Sequence, residues 1–157
     1  RVVGPEGAPI PRVSVAISPG PGSVPGVTRF RWTGEDGRLD WTEVAPGETS
    51  QCLTLYGGSQ YAVRILNAPV GPEEQVIQLD GIGGTLSTNP EAAPVDVVLF
   101  HDGCYTTRGH FGRFRHKDFP LLAPGTYTLC AVPAFRPTEA CSTGVLRPLE
   151  SLALRPR

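Results

Sequence analysis

Four cysteines, Cys52, Cys104, Cys130 and Cys141, carry the most defined chemistry in this 157-residue chain. In an oxidising compartment they form two disulfides, with three connectivities open. Cys130 and Cys141 would close a short loop around Pro133, Phe135 and Pro137, which makes them the favoured pair. The competing reading is reduced, buried thiols, because Cys52 and Cys130 lie inside strand-like alternation. No Cys-x-x-Cys spacing points to zinc. His101, Asp102 and Cys104 lie together in HDGC, and His110 and His116 flank FGRFR. Such residues offer a Cys–His nucleophile or a His/Asp metal cluster, but neither arrangement has a supporting motif around it. They read as polar hairpin tips, so no catalytic residue, cofactor or metal is assigned.

Serine and phosphate chemistry fare no better. Ser87, Ser142 and Ser151 lack a nucleophile elbow, and Gly83-Gly84 follows no βαβ pattern that would cradle a phosphate. Asn67 and Asn89 are not followed by an N-glycosylation sequence.

The aromatic residues offer stacking. The run Arg29-Phe30-Arg31-Trp32-Thr33 leads through Gly34 to Gly37 into Arg38-Leu39-Asp40-Trp41, which reads as a hairpin. Parity then puts Phe30, Trp32, Leu39 and Trp41 on one face, and Arg29, Arg31, Arg38 and Asp40 on the other. A turn on Glu35-Asp36 would set Phe30 against Trp41 and Arg31 against Asp40. One face of every strand in a small sandwich is buried, so the tryptophans are expected in the core. Exposed instead, Trp32, Trp41, Tyr61 and Tyr105 would be candidate contacts for a glycan or a protein partner.

The elements that must hold these residues are strands. The chain has 19 glycines and 17 prolines, and its 39% hydrophobic residues fall in short alternating runs, which means many turns and no helix of convincing periodicity. Fourteen basic and fifteen acidic residues give a net charge of −1, and the arginines are scattered. That balance excludes the basic stripe a nucleic acid partner requires. No apolar run approaches the ~20 residues of a membrane-crossing helix. Methionine is absent, even at position 1, which together with the cysteines leads to the expectation of an exported, extracellular or cell-surface chain.

Two phrases recur: DGRLDWTEVAPG from Asp36 to Gly47, and FGRFRHKDFPLLAPGTYTL from Phe111 to Leu129. Upstream of them, Gly7 to Ser18 parallels Glu91 to Gly103. Glycine supplies positive φ for tight turns, and Pro-Gly presets a type II turn. Expected turn residues are Gly37, Pro46, Gly47, Gly112, Pro124 and Gly125. Expected core residues are Phe30, Trp32, Leu39, Trp41, Phe114, Tyr127 and Leu129. The spacing divides the chain into units 1–82 and 83–157. Gly58 to Ile65 can also open the second unit, which would move the boundary near 57.

This order of an alternating strand after Ala-Pro, an Asp-Gly or Phe-Gly turn and an Ala-Pro-Gly corner resembles the carboxypeptidase regulatory-like family. The resemblance implies an all-β fold of tandem Ig-like or transthyretin-like antiparallel β-sandwiches, and a non-catalytic accessory, adhesive or structural role. Collagen-adhesin B-type domains share such a sandwich and carry a Lys–Asn isopeptide bond. The sole lysine, Lys117, does not align with theirs, so disulfides are expected to staple the fold instead. The expected function is a secreted structural protein of a bacterial surface that builds a fibre by edge-strand addition, with copies of itself or other surface proteins as partners. Val2 and Val3 at one end, and Leu152 and Leu154 at the other, are the candidate assembly strands. The alternative is a carbohydrate- or protein-binding module of a larger secreted enzyme or receptor.

Overall fold

The computed structural model describes residues 1–21, 28–42, 44, 46–88, 96–110, 117–131 and 141–155, with the backbone alone at 88, 96–98, 105–110, 117, 118, 120 and 131. Among these residues the regular elements are thirteen strands, and the fold is all-β. They are β1 (Val2–Val3), β2 (Ser14–Pro19), β3 (Arg29–Trp32), β4 (Ser50–Tyr56), β5 (Arg64–Pro69), β6 (Ile77–Gln78) and β7 (Gly84–Thr88). The remainder are β8 (Asp96–His101), β9 (Cys104–His110), β10 (Lys117–Leu122), β11 (Gly125–Ala131), β12 (Cys141–Leu146) and β13 (Ser151–Leu154).

Two four-stranded antiparallel sheets dominate, in the orders β3-β2-β4-β5 and β9-β8-β11-β12. The two orders are the same succession of connections. Smaller sheets accompany them, β1-β6 and β10-β7-β13, and here the β1–β6 and β7–β13 pairs are parallel. Parallel pairing thus occurs at two places beside the antiparallel sheets. In each, a long excursion separates the paired strands, as parallel pairing demands.

Burial follows from having layers on both sides of the first large sheet. β2 is buried at four successive positions, Val15 to Ser18, where a one-sided strand would alternate. Val15, Ile17 and Leu55 point into a cluster with Val2, Ile10, Val13 and Leu79. Cys52 and Ile65 instead join a second cluster with Leu86, Leu99, Leu122, Tyr127, Leu129, Leu146 and Leu154. A strand covered on both faces loses its polar alternation, which is why β2 reads as a nearly continuous apolar run.

The predicted Arg29–Trp41 hairpin does not form. The turn itself closes, with Gly37 N–H donating to the Gly34 carbonyl at 3.0 Å and Gly34 N–H to the Arg38 carbonyl at 2.8 Å. The chain then folds over the sheet: Val2 N–H donates to the Gly37 carbonyl at 2.8 Å, and β3 pairs with β2. Leu39 and Trp41 pack against the first core cluster. Phe30 and Trp32 stay 50% and 63% exposed, which corrects their assignment to the core. Tyr127 and Leu129 are fully buried. Phe114 and Gly112 lie outside the described residues.

Turn chemistry is also split. Gly37 and Gly47 occupy the left-handed region at φ 72° and 85°. Gly125 has no such angle; it opens β11 opposite Leu146, and positive φ falls nearby on Leu121 at 58°. Gly125 is required for close approach instead, because a Cβ there would overlap the His101 ring at Cε1.

Candidate functional site

The edge strand β3 is fixed by a buried threonine. Thr33 N–H donates to the Val13 carbonyl at 3.1 Å, its hydroxyl accepts from Val13 N–H at 2.9 Å and donates to the Ile10 carbonyl at 3.0 Å. Arg12, in the left-handed region at φ 56°, also donates its N–H to the Thr33 carbonyl at 3.1 Å. Two residues therefore face one, a bulge that pins the register. Counting from Thr33–Val13, the hydrogen-bonded pairs are Arg31–Val15 and Arg29–Ile17. Alternation then turns the N–H and C=O groups of Phe30 and Trp32 away from β2, toward the open side of the sheet.

The same alternation sorts the side chains. Phe30 and Trp32 share the face of Ala16 and Ser14, while Arg31 shares the face of Val15. All four residues of β3 are exposed. The Arg31 guanidinium lies over the Trp41 ring at 5.1 Å and donates to the Phe30 carbonyl at 3.0 Å. A cation over an indole is an attractive contact, and here it ties the edge strand to the segment folded beneath it.

That segment borders a cleft of about 680 Å³ on the inner side of the first sheet. Val15, Ile17, Leu53 and Leu55 form its floor, and Trp41 and Val70 line its walls. Arg38 Nε and Glu74 Oε1, 2.8 Å apart, link the two sides of its rim. The indole N–H of Trp41 is buried without a hydrogen-bond partner. In the second half, the stretch between the second and third strands of the large sheet in chain order is β10, laddered to β7 from Lys117 to Leu122. Residues 38–42 take no such ladder, and the cleft opens beside them. Its size is that of a small-molecule site.

The remaining predicted residues fall elsewhere. Cys52 in β4 bonds to Cys104 in β9 with Cα atoms 5.3 Å apart, and Cys130 bonds to Cys141 across β11–β12 at 4.1 Å. Cys104 therefore has no thiol for His101 to activate. His101 instead stacks on Tyr127 at 4.8 Å between ring centres. Its Nδ1 lies 2.9 Å from the Thr126 carbonyl, and its Nε2 3.4 Å from the Asp102 carboxylate. Tyr127 donates its hydroxyl to the Ala123 carbonyl at 2.6 Å. Burial, and then the Asp102 charge, push its phenol well above the ordinary tyrosine range. Among the described residues no cluster of three His, Cys, Asp or Glu side chains is arranged for a metal. His116 and the side chains of His110, Lys117 and Tyr105 lie outside the described residues.

Tyr61 is partly buried against the first core cluster. The terminal candidates are docked within their own chain: Val2 and Val3 in β1 against β6, Leu152 and Leu154 in β13 against β7. Val2, Val3 and Leu154 are buried there. Among the described residues β3, the first arm of the expected hairpin, is an edge strand exposed at all four positions. Its own alternation of arginine with aromatics is the signal that sequence offers, since charge on an edge strand is a common feature of sheets.

No protein family and no curated protein matches the sequence. Similar solved structures include the TIE protein of Bacillus anthracis, with a TM-score of 0.42 and 11% identity over 98% of this chain and 32% of that one. GBS52, the minor pilin of Streptococcus agalactiae, gives a TM-score of 0.40 and 12% identity over 98% of this chain and 92% of that one. The streptococcal ancillary pilin gives 0.35 and 13% over 99% of this chain and 60% of that one. The chain thus spans about a third of the TIE protein's length. No helix among the described residues is long and apolar enough to cross a membrane.

Proposed function

We propose that this chain is a non-catalytic structural subunit of a bacterial surface assembly, joined to its neighbours by edge-strand addition. The observation that carries the reading is β3: an edge strand exposed at every position, with Phe30 and Trp32 on one face and their backbone groups turned outward. Unpaired N–H and C=O groups on a sheet edge are a template for another strand, and exposed aromatics add apolar contact. Two disulfides suit a chain that matures in an oxidising compartment. We also read the chain as two sandwich units, 1–82 and 83–157, which the shared connection order of the two large sheets supports. Negative-stain electron microscopy of the non-reduced protein tests the function: regular fibres, sheets or discrete oligomers are expected, and isolated single particles at every concentration would remove it.

A second reading has its own observation. The 680 Å³ cleft, with its apolar floor and charged rim, fits a binding module that takes an apolar ligand or an extended strand. A carbohydrate platform is less well supported: Trp41, half-buried, has Arg31 over its ring, and Trp32 stands on the opposite face of the sheet. Fluorescence titration against glycans and apolar peptides separates the readings, because ligand at the cleft quenches or shifts Trp41, and a Trp41→Phe variant loses that response.

A further inference from the structure

The open edge has a pattern that specifies its partner, given that the chain is a subunit joined by edge-strand addition. Phe30 and Trp32 sit two residues apart, share a side-chain face, and both turn their backbone groups outward. A strand with that pattern is self-complementary about a two-fold axis normal to the sheet. We propose that β3 pairs antiparallel with β3 of a second copy, Phe30 opposite Trp32 of the second copy and Trp32 opposite its Phe30, an inference that rests on the assembly reading. This register uses every outward N–H and C=O of both residues on both copies. It also forms two aromatic cross-strand pairs on one continuous face. Shifting by two residues, so that Phe30 meets Phe30 of the second copy, leaves Trp32 opposite Thr28. Shifting by one residue turns the faces over and sets aromatics against arginines.

The Phe30 carbonyl already accepts one bond from Arg31, and its second lone pair serves the second copy. In the favoured register Arg31 lies at the axis, directly opposite Arg31 of the second copy. Like charges at opposed positions repel, although each guanidinium is drawn over its own Trp41 on the other face. Pairing therefore strengthens as salt screens the two arginines. An acidic strand from a different protein would show the reverse, tighter at low salt. The contact is small, one four-residue strand from each copy, so the dimer is concentration-dependent.

The test uses the full chain with its native disulfides intact and one added cysteine. In the proposed register the two residues 31 form a non-hydrogen-bonded pair with Cα atoms about 4.5 Å apart, a span that a disulfide bridges. Under mild oxidation Arg31→Cys is expected to form covalent dimers at least about tenfold faster than Ile82→Cys, an exposed control site, while the dimer fraction of the wild-type chain, which keeps both arginines, rises between about 0.05 and 0.5 M NaCl. Trp32→Thr, a change at an exposed position, should remove the concentration-dependent dimer of the otherwise unaltered chain. If Arg31→Cys links no faster than Ile82→Cys while the wild-type chain still assembles, the β3 seam is wrong and assembly uses another edge. If the wild-type chain stays monomeric up to about 0.5 mM, the assembly reading falls and the seam with it.

Discussion

At the scale of single residues, the strongest constraints lie around Tyr127. Its ring is fully buried against His101 and its hydroxyl bonds to Ala123. Tyr127→Ala is expected to cost about 3 to 5 kcal/mol, as for other large buried aromatics, and Tyr127→Phe about 1 kcal/mol for the lost hydrogen bond. Denaturant titration checks both. The phenol also sets a pH dependence. An unfolded tyrosine ionises near pH 10, while the folded one holds its proton beyond that, so the folded state binds more protons above about pH 10. Stability from this group is constant below that pH and falls as pH rises. Tyr127→Phe should flatten the alkaline decline, and an unchanged slope would remove Tyr127 as its source. Gly125→Ala tests the close approach of His101, with an expected loss of about 1 to 3 kcal/mol from overpacking. Tyr127 is legible in sequence by its place in an alternating strand. Gly125 is not, since a glycine kept for a neighbour's ring looks the same in sequence as one kept for its φ.

At the scale of elements, short apolar runs bounded by proline and glycine mark β2, β4, β8 and β11 as strands. Alternation fails for the stretch from Arg29 to Trp41. The local pattern there is a good hairpin, but the tertiary placement of the chain after Gly37 overrides it: Val2 captures the Gly37 carbonyl, and Trp41 enters the first core cluster. Pairing partners distant in sequence, such as Val2 or Ser14, leave no mark in the hairpin itself. A consequence is an asymmetry between the two tryptophans. Trp32→Thr should change stability by no more than about 0.5 kcal/mol, the usual range for an exposed site. Trp41→Ala should cost several times that, because its ring packs against buried side chains. Equal effects would contradict the packing described. The edge role of β3 is partly legible, since its arginines alternate with aromatics. That β3 stays exposed on both faces while β2 beside it is covered on both is not, because alternation defines two faces without saying which is covered.

At the scale of the molecule, the two disulfides differ in what they close. Cys52 and Cys104 are 52 residues apart in sequence, and Cys130 and Cys141 are 11 apart. Loop-closure entropy predicts a loss of about 4 kcal/mol on removing the first and about 3 on removing the second. The first also joins the sheet of β2 and β4 to β9, so the double variant Cys52→Ala, Cys104→Ala should show the lower thermal midpoint. Cysteine spacing makes the short pair readable, whereas the long one depends on how the two large sheets meet. The assembly reading rests on this same scale, because β3 is an edge only once every other strand has found its place. Light scattering across a concentration series of the non-reduced chain, with the Trp32→Thr variant beside it, tests that reading most directly. A wild-type mass rising from 16.7 kDa toward twice that value or beyond, with Trp32→Thr held at the monomer, is the predicted result. A wild-type mass of 16.7 kDa throughout would contradict it.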